Sequence, residues 1–72
     1  MPRYRFPIYS STAAVVADTE GAEFPDDYTA RLYGERVIAD LKRDEPDNYF
    51  GWTMEIKDGE RLVASIPFYK PN

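Results

Sequence analysis

At 72 residues the chain is sized for one domain over residues 1–72, because a domain near this length buries only about 60% of its extended surface and has no material for a second core. Thirteen acidic against nine basic residues give a net charge of −4, which repels phosphate backbones in general. With no histidine and no cysteine, the chain lacks the side chain that titrates nearest neutrality, the thiol nucleophile and the usual zinc ligands.

From Pro2 to Tyr9, the residues Tyr4, Phe6 and Ile8 alternate with Arg3, Arg5, Pro7 and Tyr9. A period of two predicts a strand, and Pro7, with no amide to donate, requires an edge, a bulge or the strand's end. Ser10, Ser11 and Thr12 suit a turn, and Ala13 to Ala17, with Val15 and Val16, predicts a second strand pairing with the first as a hairpin. That apolar run is also the longest in the chain and far too short for a bilayer. Without a leader pattern either, a cytoplasmic protein with no membrane partner is expected.

Residues 18–27 predict a loop ending at a helix start. Gly21 permits a positive φ, Pro25 keeps the approach extended, and Asp26 or Asp27 caps, with Phe24 placed to pack back over the first turn. The helix then runs to about Arg43 with Ala30, Tyr33, Gly34, Val37, Ile38 and Leu41 on one stripe. A glycine on that stripe costs about 1 kcal/mol relative to alanine, so Gly34 is expected where the helix backbone comes close to the sheet. Lys42 and Arg43 suit the negative helix end, and Pro46 stops it.

Phe50, Trp52, Met54 and Ile56 alternate with Thr53, Glu55 and Lys57 as a third strand. Asp58-Gly59 reads as a two-residue hairpin turn of type I′. On the return strand Leu62, Ala64, Ile66 and Phe68 are expected on the inner face, with Arg61, Val63, Ser65 and Tyr69 on the outer. The order β-β-α-β-β predicts an α+β fold: a four-stranded antiparallel sheet with one helix packed on one face. The expected core comprises Tyr4, Phe6, Ile8, Val15, Phe24, Tyr33, Val37, Leu41, Trp52, Met54, Ile56, Leu62, Ala64 and Ile66.

The opening Met1-Pro2-Arg3-Tyr4 with Phe6, the stretch Asp18 to Asp26 (Asp-Thr-Glu-Gly-Ala-Glu-Phe-Pro-Asp), Ala30-Arg31, the Trp52 strand, Asp58-Gly59 and Ile66-Pro67-Phe68 together resemble DUF6894, a family of small bacterial domains common in alphaproteobacteria. Members often carry a histidine just after the first aromatic pair, where this chain has Pro7. The resemblance implies no activity, since the family has no assigned one.

Asp18, Glu20, Glu23, Asp26 and Asp27 crowd five carboxylates into ten residues. They read as a solvated loop with helix caps; calcium is the alternative ligand, against which the spacing does not fit an EF-hand loop. Ser10, Ser11, Thr12 and Ser65 have no histidine to activate them, and the four glycines are isolated and form no phosphate loop. No catalytic, cofactor or metal residue is expected, nor any enzymatic activity. The candidate interface comprises Arg3, Arg5, Tyr9, Arg61, Val63 and Tyr69 on a sheet face without a helix. Arginine and tyrosine there suit protein contact, either as a homodimer or as an accessory module on another protein. Weak single-stranded nucleic-acid binding through the same face is the alternative.

Overall fold

The computed structural model describes residues 2–10, 15–16 and 20–69, with backbone alone at 15–16. It has the expected α+β architecture, an antiparallel sheet carrying one helix on one face. The first predicted strand is present in two pieces, β1 (Arg3–Arg5) and β2 (Ile8–Tyr9). Both pair with β5 (Thr53–Asp58) in one continuous register, Tyr4 opposite Asp58 and Ile8 opposite Met54. The interruption falls at Phe6-Pro7. Pro7 still accepts a hydrogen bond from the Glu55 amide at 2.9 Å but has no N–H to return, so the ladder opens there without losing its register.

On the other side of this strand, β3 (Val15–Val16) pairs with β2 and completes the expected first hairpin. A short strand that the sequence pattern did not suggest, β4 (Ala22–Glu23), pairs with β1. It follows Gly21, whose φ is +68°, and whose missing side chain leaves room for the Tyr4 carbonyl. The side chain of Val15, expected in the core, lies outside the described residues.

The helix α1 (Asp27–Asp44) begins where a cap was expected. Asp26 takes that role, accepting from the Thr29 amide and hydroxyl, each at 2.8 Å. Along α1, Ala30, Gly34 and Ile38 are buried, while Val37 and Leu41 are packed against them. Tyr33 departs from the expected core: it is 43% exposed, with one side laid against Phe6 and Phe24 at ring distances of 5.1 Å. Phe24 thus reaches the second turn of α1. Gly34 is a close-approach site: a Cβ there would stand 3.0 Å from Ile56 Cδ1 and 3.2 Å from Met54 Sδ.

The third strand starts later than its alternation suggested. Gly51, at φ +79°, turns the chain just before it, and Phe50 sits in that turn, 61% exposed and stacked on Tyr69 at 4.6 Å. The return strand β6 (Arg61–Pro67) pairs with β5 through a turn whose central residues are Gly59 and Glu60, one step later than Asp58-Gly59. Glycine at the first central position, with φ +62°, supplies the positive φ that such hairpin turns require.

A β-bulge corrects the expected faces of β6. Lys57 lies opposite Leu62, but Ile56 lies opposite Ala64, so Val63 is an extra residue on the bulged strand. Before the bulge, Arg61 shares the helix side with Asp58, and Leu62 shares the far side with Lys57, where it is 52% exposed. Val63 packs against the core instead of lying on the outer face. Beyond the bulge, Ala64 and Ile66 return to the helix side as expected, and Phe68 follows them into the core.

The center of the core is Tyr4, Phe6, Ala30, Ile38, Met54, Ile56 and Phe68. Aromatic contacts extend it at both ends. Tyr4, Phe6, Phe24 and Tyr33 pack beside the start of α1, and Tyr49, Trp52 and Phe68 pack at 4.9–5.2 Å near its end. Large rings of this kind provide the buried area that a chain of this size otherwise lacks.

Candidate functional site

Two polar arrangements stand out, one on each face of the sheet. On the helix side, the start of β6 is tied to the start of α1. Arg61 donates to both carboxylate oxygens of Asp27 at 2.9 and 3.0 Å, and to Asp58 at 3.0 Å. The Tyr4 hydroxyl donates to the same Asp27 at 2.8 Å. A forked arginine–carboxylate pair fixes direction as well as distance. The Arg61 and Tyr4 hydrogen bonds hold the Asp27 carboxyl down at about 2. Burial and the Asp27 contact push the Tyr4 hydroxyl up, while Asp27 and Asp58 raise the Arg61 guanidinium. A carboxylate this acidic and this fully engaged is a poor base near neutrality. The chemistry of the cluster is that of a tie between β1, α1, β5 and β6.

The face away from the helix is organised by the register. Arg5, Lys57 and Leu62 form one row across three strands, and Tyr9, Thr53 and Pro67 another. Glu55 and Ser65 lie between these rows, and Arg3 with Glu23 extends the face toward β4. Lys57 meets Glu55 at 3.8 Å and Arg3 meets Glu23 at 3.6 Å. Hydrogen bonding to the Glu55 carboxylate pushes the Tyr9 hydroxyl pKa up. Among the described residues, no helix covers this face.

The structure does not bring the six candidate interface residues together. Arg3, Arg5 and Tyr9 lie on the face away from the helix, as expected from their odd positions. Arg61 is on the opposite side in the Asp27 tie, and Val63 packs on the core. Tyr69 is at the end of α1, where its hydroxyl donates to the Pro46 carbonyl at 2.7 Å and the Lys42 ammonium sits 4.6 Å from its ring center. Leu62 takes the outward place on β6 where Arg61 and Val63 were expected, beside Lys57 and Glu55, which lie on this face as their alternation predicted. A bulge has no residue signature, so strict alternation carried the wrong set forward. The Asp58–Arg61 pair was within reach of the sequence, because centring the turn on Gly59-Glu60 puts those opposite charges across from each other.

The carboxylates expected as a loop with caps are divided among separate tasks: Glu23 to Arg3, Asp26 to the helix cap and Asp27 to Arg61. Asp18 lies outside the described residues. Among those described, no three carboxylates converge as metal ligands, and no helix is long and apolar enough to cross a membrane. At the far end of α1, Glu45, Pro46, Asp47 and Asn48 line an open depression, with Glu45 already accepting from Asn48 at 3.0 Å.

The sequence model of DUF6894, a domain of unknown function, matches residues 3–69. The chain belongs to that family. The match takes in every described strand, the helix and the whole face away from the helix, so the Arg61–Asp27 tie and the Arg5–Lys57–Leu62 row both lie within the DUF6894 domain. Neither a curated protein nor a solved structure matches the chain.

Proposed function

We propose that this DUF6894 domain is a non-catalytic module that acts by protein–protein contact through its helix-free sheet face, either as a homodimer or on another protein. The observation that carries the reading is Leu62. The bulge turns it out of the core to 52% exposure, in a row with Arg5 and Lys57. An exposed apolar side chain on a face that also carries arginine and tyrosine suits protein contact, where Arg and aromatic residues are enriched. Strand addition at the β6 edge is less suitable. Alternation directs the backbone groups of Ser65 and Pro67 outward, and Pro67 has no amide to offer. A bacterial, cytoplasmic setting belongs to the same reading.

The test is amide NMR of the full chain as its concentration is raised a hundredfold, alone and with lysate fractions. Shifts or broadening confined to Arg5, Tyr9, Lys57 and Leu62 support the reading. Changes confined to the outward side of α1, where Tyr28 and Leu32 are exposed, contradict it.

A further inference from the structure

Resting on the sheet-face reading above, we propose that the occupant of this face is a second copy of the chain, packed about a two-fold axis that crosses the strands along the Glu55–Ser65 row, with Leu62 of each copy seated on Pro67 of the other. The register supplies the geometry. Three rows cross the face: Arg5–Lys57–Leu62, then Pro7–Glu55–Ser65, then Tyr9–Thr53–Pro67. Neighboring rows are two residues, about 7 Å, apart. Facing sheets keep their strands within about 30° of each other, so a two-fold between them runs along the strands or across them. An axis along β5 would set Lys57 on its own copy and Arg5 on Leu62, which costs like-charge repulsion and desolvation. One along β6 would pair Leu62 with itself but leave β1 and β2 off the partner. Across the strands at the middle row, the first row of each copy lies over the third row of the other. Leu62 then meets Pro67, Lys57 meets Thr53 and the Arg5 stem meets the Tyr9 ring, with no cation on a cation.

This arrangement asks no charged group to give up a contact. Lys57 stays with Glu55 at 3.8 Å, Glu55 stays hydrogen-bonded with Tyr9, and Arg5 keeps its contacts within the chain. The driving force is the removal of Leu62 and Pro67 from water. Glu55 approaches its own copy on the axis row, and this one like-charge approach, offset by the Lys57 beside each carboxylate, limits the affinity. The contact is also small beside the roughly 20–30 residues a side of a standard interface, so the dimer is weak and forms at high concentration.

The chain has no cysteine, so single cysteines read the arrangement directly. Ser65→Cys, Leu62→Cys, Pro67→Cys and, on the outward side of α1, Tyr28→Cys are each treated at high protein concentration with a short bifunctional thiol reagent. An equal mixture of Leu62→Cys and Pro67→Cys is treated alongside. Ser65 lies on the axis, whereas Leu62 is four residues along the strands, about 14 Å, from its own copy. The expected result is that Ser65→Cys links to itself and that the mixture links several-fold faster than Leu62→Cys or Pro67→Cys alone. Leu62→Cys linking to itself as fast as the mixture overturns this axis while the sheet-face contact stands. No linking at the three sheet positions overturns the second copy and leaves the face to a different protein. Linking confined to Tyr28→Cys overturns both readings, and equal linking at every position overturns the specific dimer. Amide dispersion checks that each variant folds; if Pro67→Cys does not, Ser65→Cys linking no faster than Leu62→Cys overturns the axis by itself.

Discussion

Arg61 grips Asp27 across 34 residues of sequence, with two hydrogen bonds of 2.9 and 3.0 Å joining the first residue of β6 to the first residue of α1. The contact exists because the turn is centred on Gly59-Glu60, which places Arg61 on the helix side beside Asp58 and Tyr4. One hairpin turn thereby sets the relation of the second hairpin to the helix.

This tie predicts an acid response. The Asp27 carboxyl is held at about 2 when folded, against roughly 4 in an unfolded chain, so between these values the unfolded state binds more protons. The stabilisation is complete above about pH 4 and is lost as the pH falls toward 2. Thermal melts of Asp27→Asn should be lower than those of the native chain at pH 7 and converge with them toward pH 2. Parallel melting curves across that window would show that Asp27 does not carry the effect.

At Gly34 the two substitutions should separate. Gly34→Leu drives a side chain into Ile56 and Met54, and should cost about 1–3 kcal/mol as overpacking despite leucine's better helix propensity. Gly34→Ala sets a propensity gain of about 1 kcal/mol against a 3.0 Å contact with the tip of Ile56, and should be nearly neutral. Urea titration distinguishes them; a stabilised leucine variant would contradict the close approach.

Gly21→Ala should destabilise by about 1–3 kcal/mol, because a left-handed backbone and a Cβ directed at the Tyr4 carbonyl act together. The denaturant midpoint reports it. An unchanged midpoint would mean that the β4–β1 pairing can shift to accept a side chain.

How much of this was legible in the sequence depends on the element. Helix periodicity placed Ala30, Gly34 and Ile38 correctly, because one helix against one sheet leaves a single way to bury the stripe. Pro7 was read correctly as a break, although its strand lies between two neighbors rather than at an edge. Alternation failed on β6, where one extra residue at Val63 exchanged the faces of Arg61 and Leu62. Tyr69 was missed for another reason: its hydroxyl reaches the Pro46 carbonyl, a contact between distant segments that no local pattern encodes.

The bulge can be tested by a pair of charges. Leu62→Glu puts a carboxylate on the open face and should change stability by no more than about 0.5 kcal/mol. Ala64→Glu, opposite Ile56 on the helix side, should unfold the domain or lower its melting temperature sharply. Equal tolerance at both positions would contradict the register.

Because Leu62→Glu leaves the fold intact on this account, it is also the sharpest probe of the sheet face. Sedimentation of the native chain and of Leu62→Glu, side by side over a hundredfold concentration range, tests the central claim most directly. For contact as a homodimer, the predicted result is a native mass rising from 8.3 kDa toward twice that value, while Leu62→Glu remains at the monomer mass. A native chain that dimerises and a variant that dimerises equally well would contradict contact through this face.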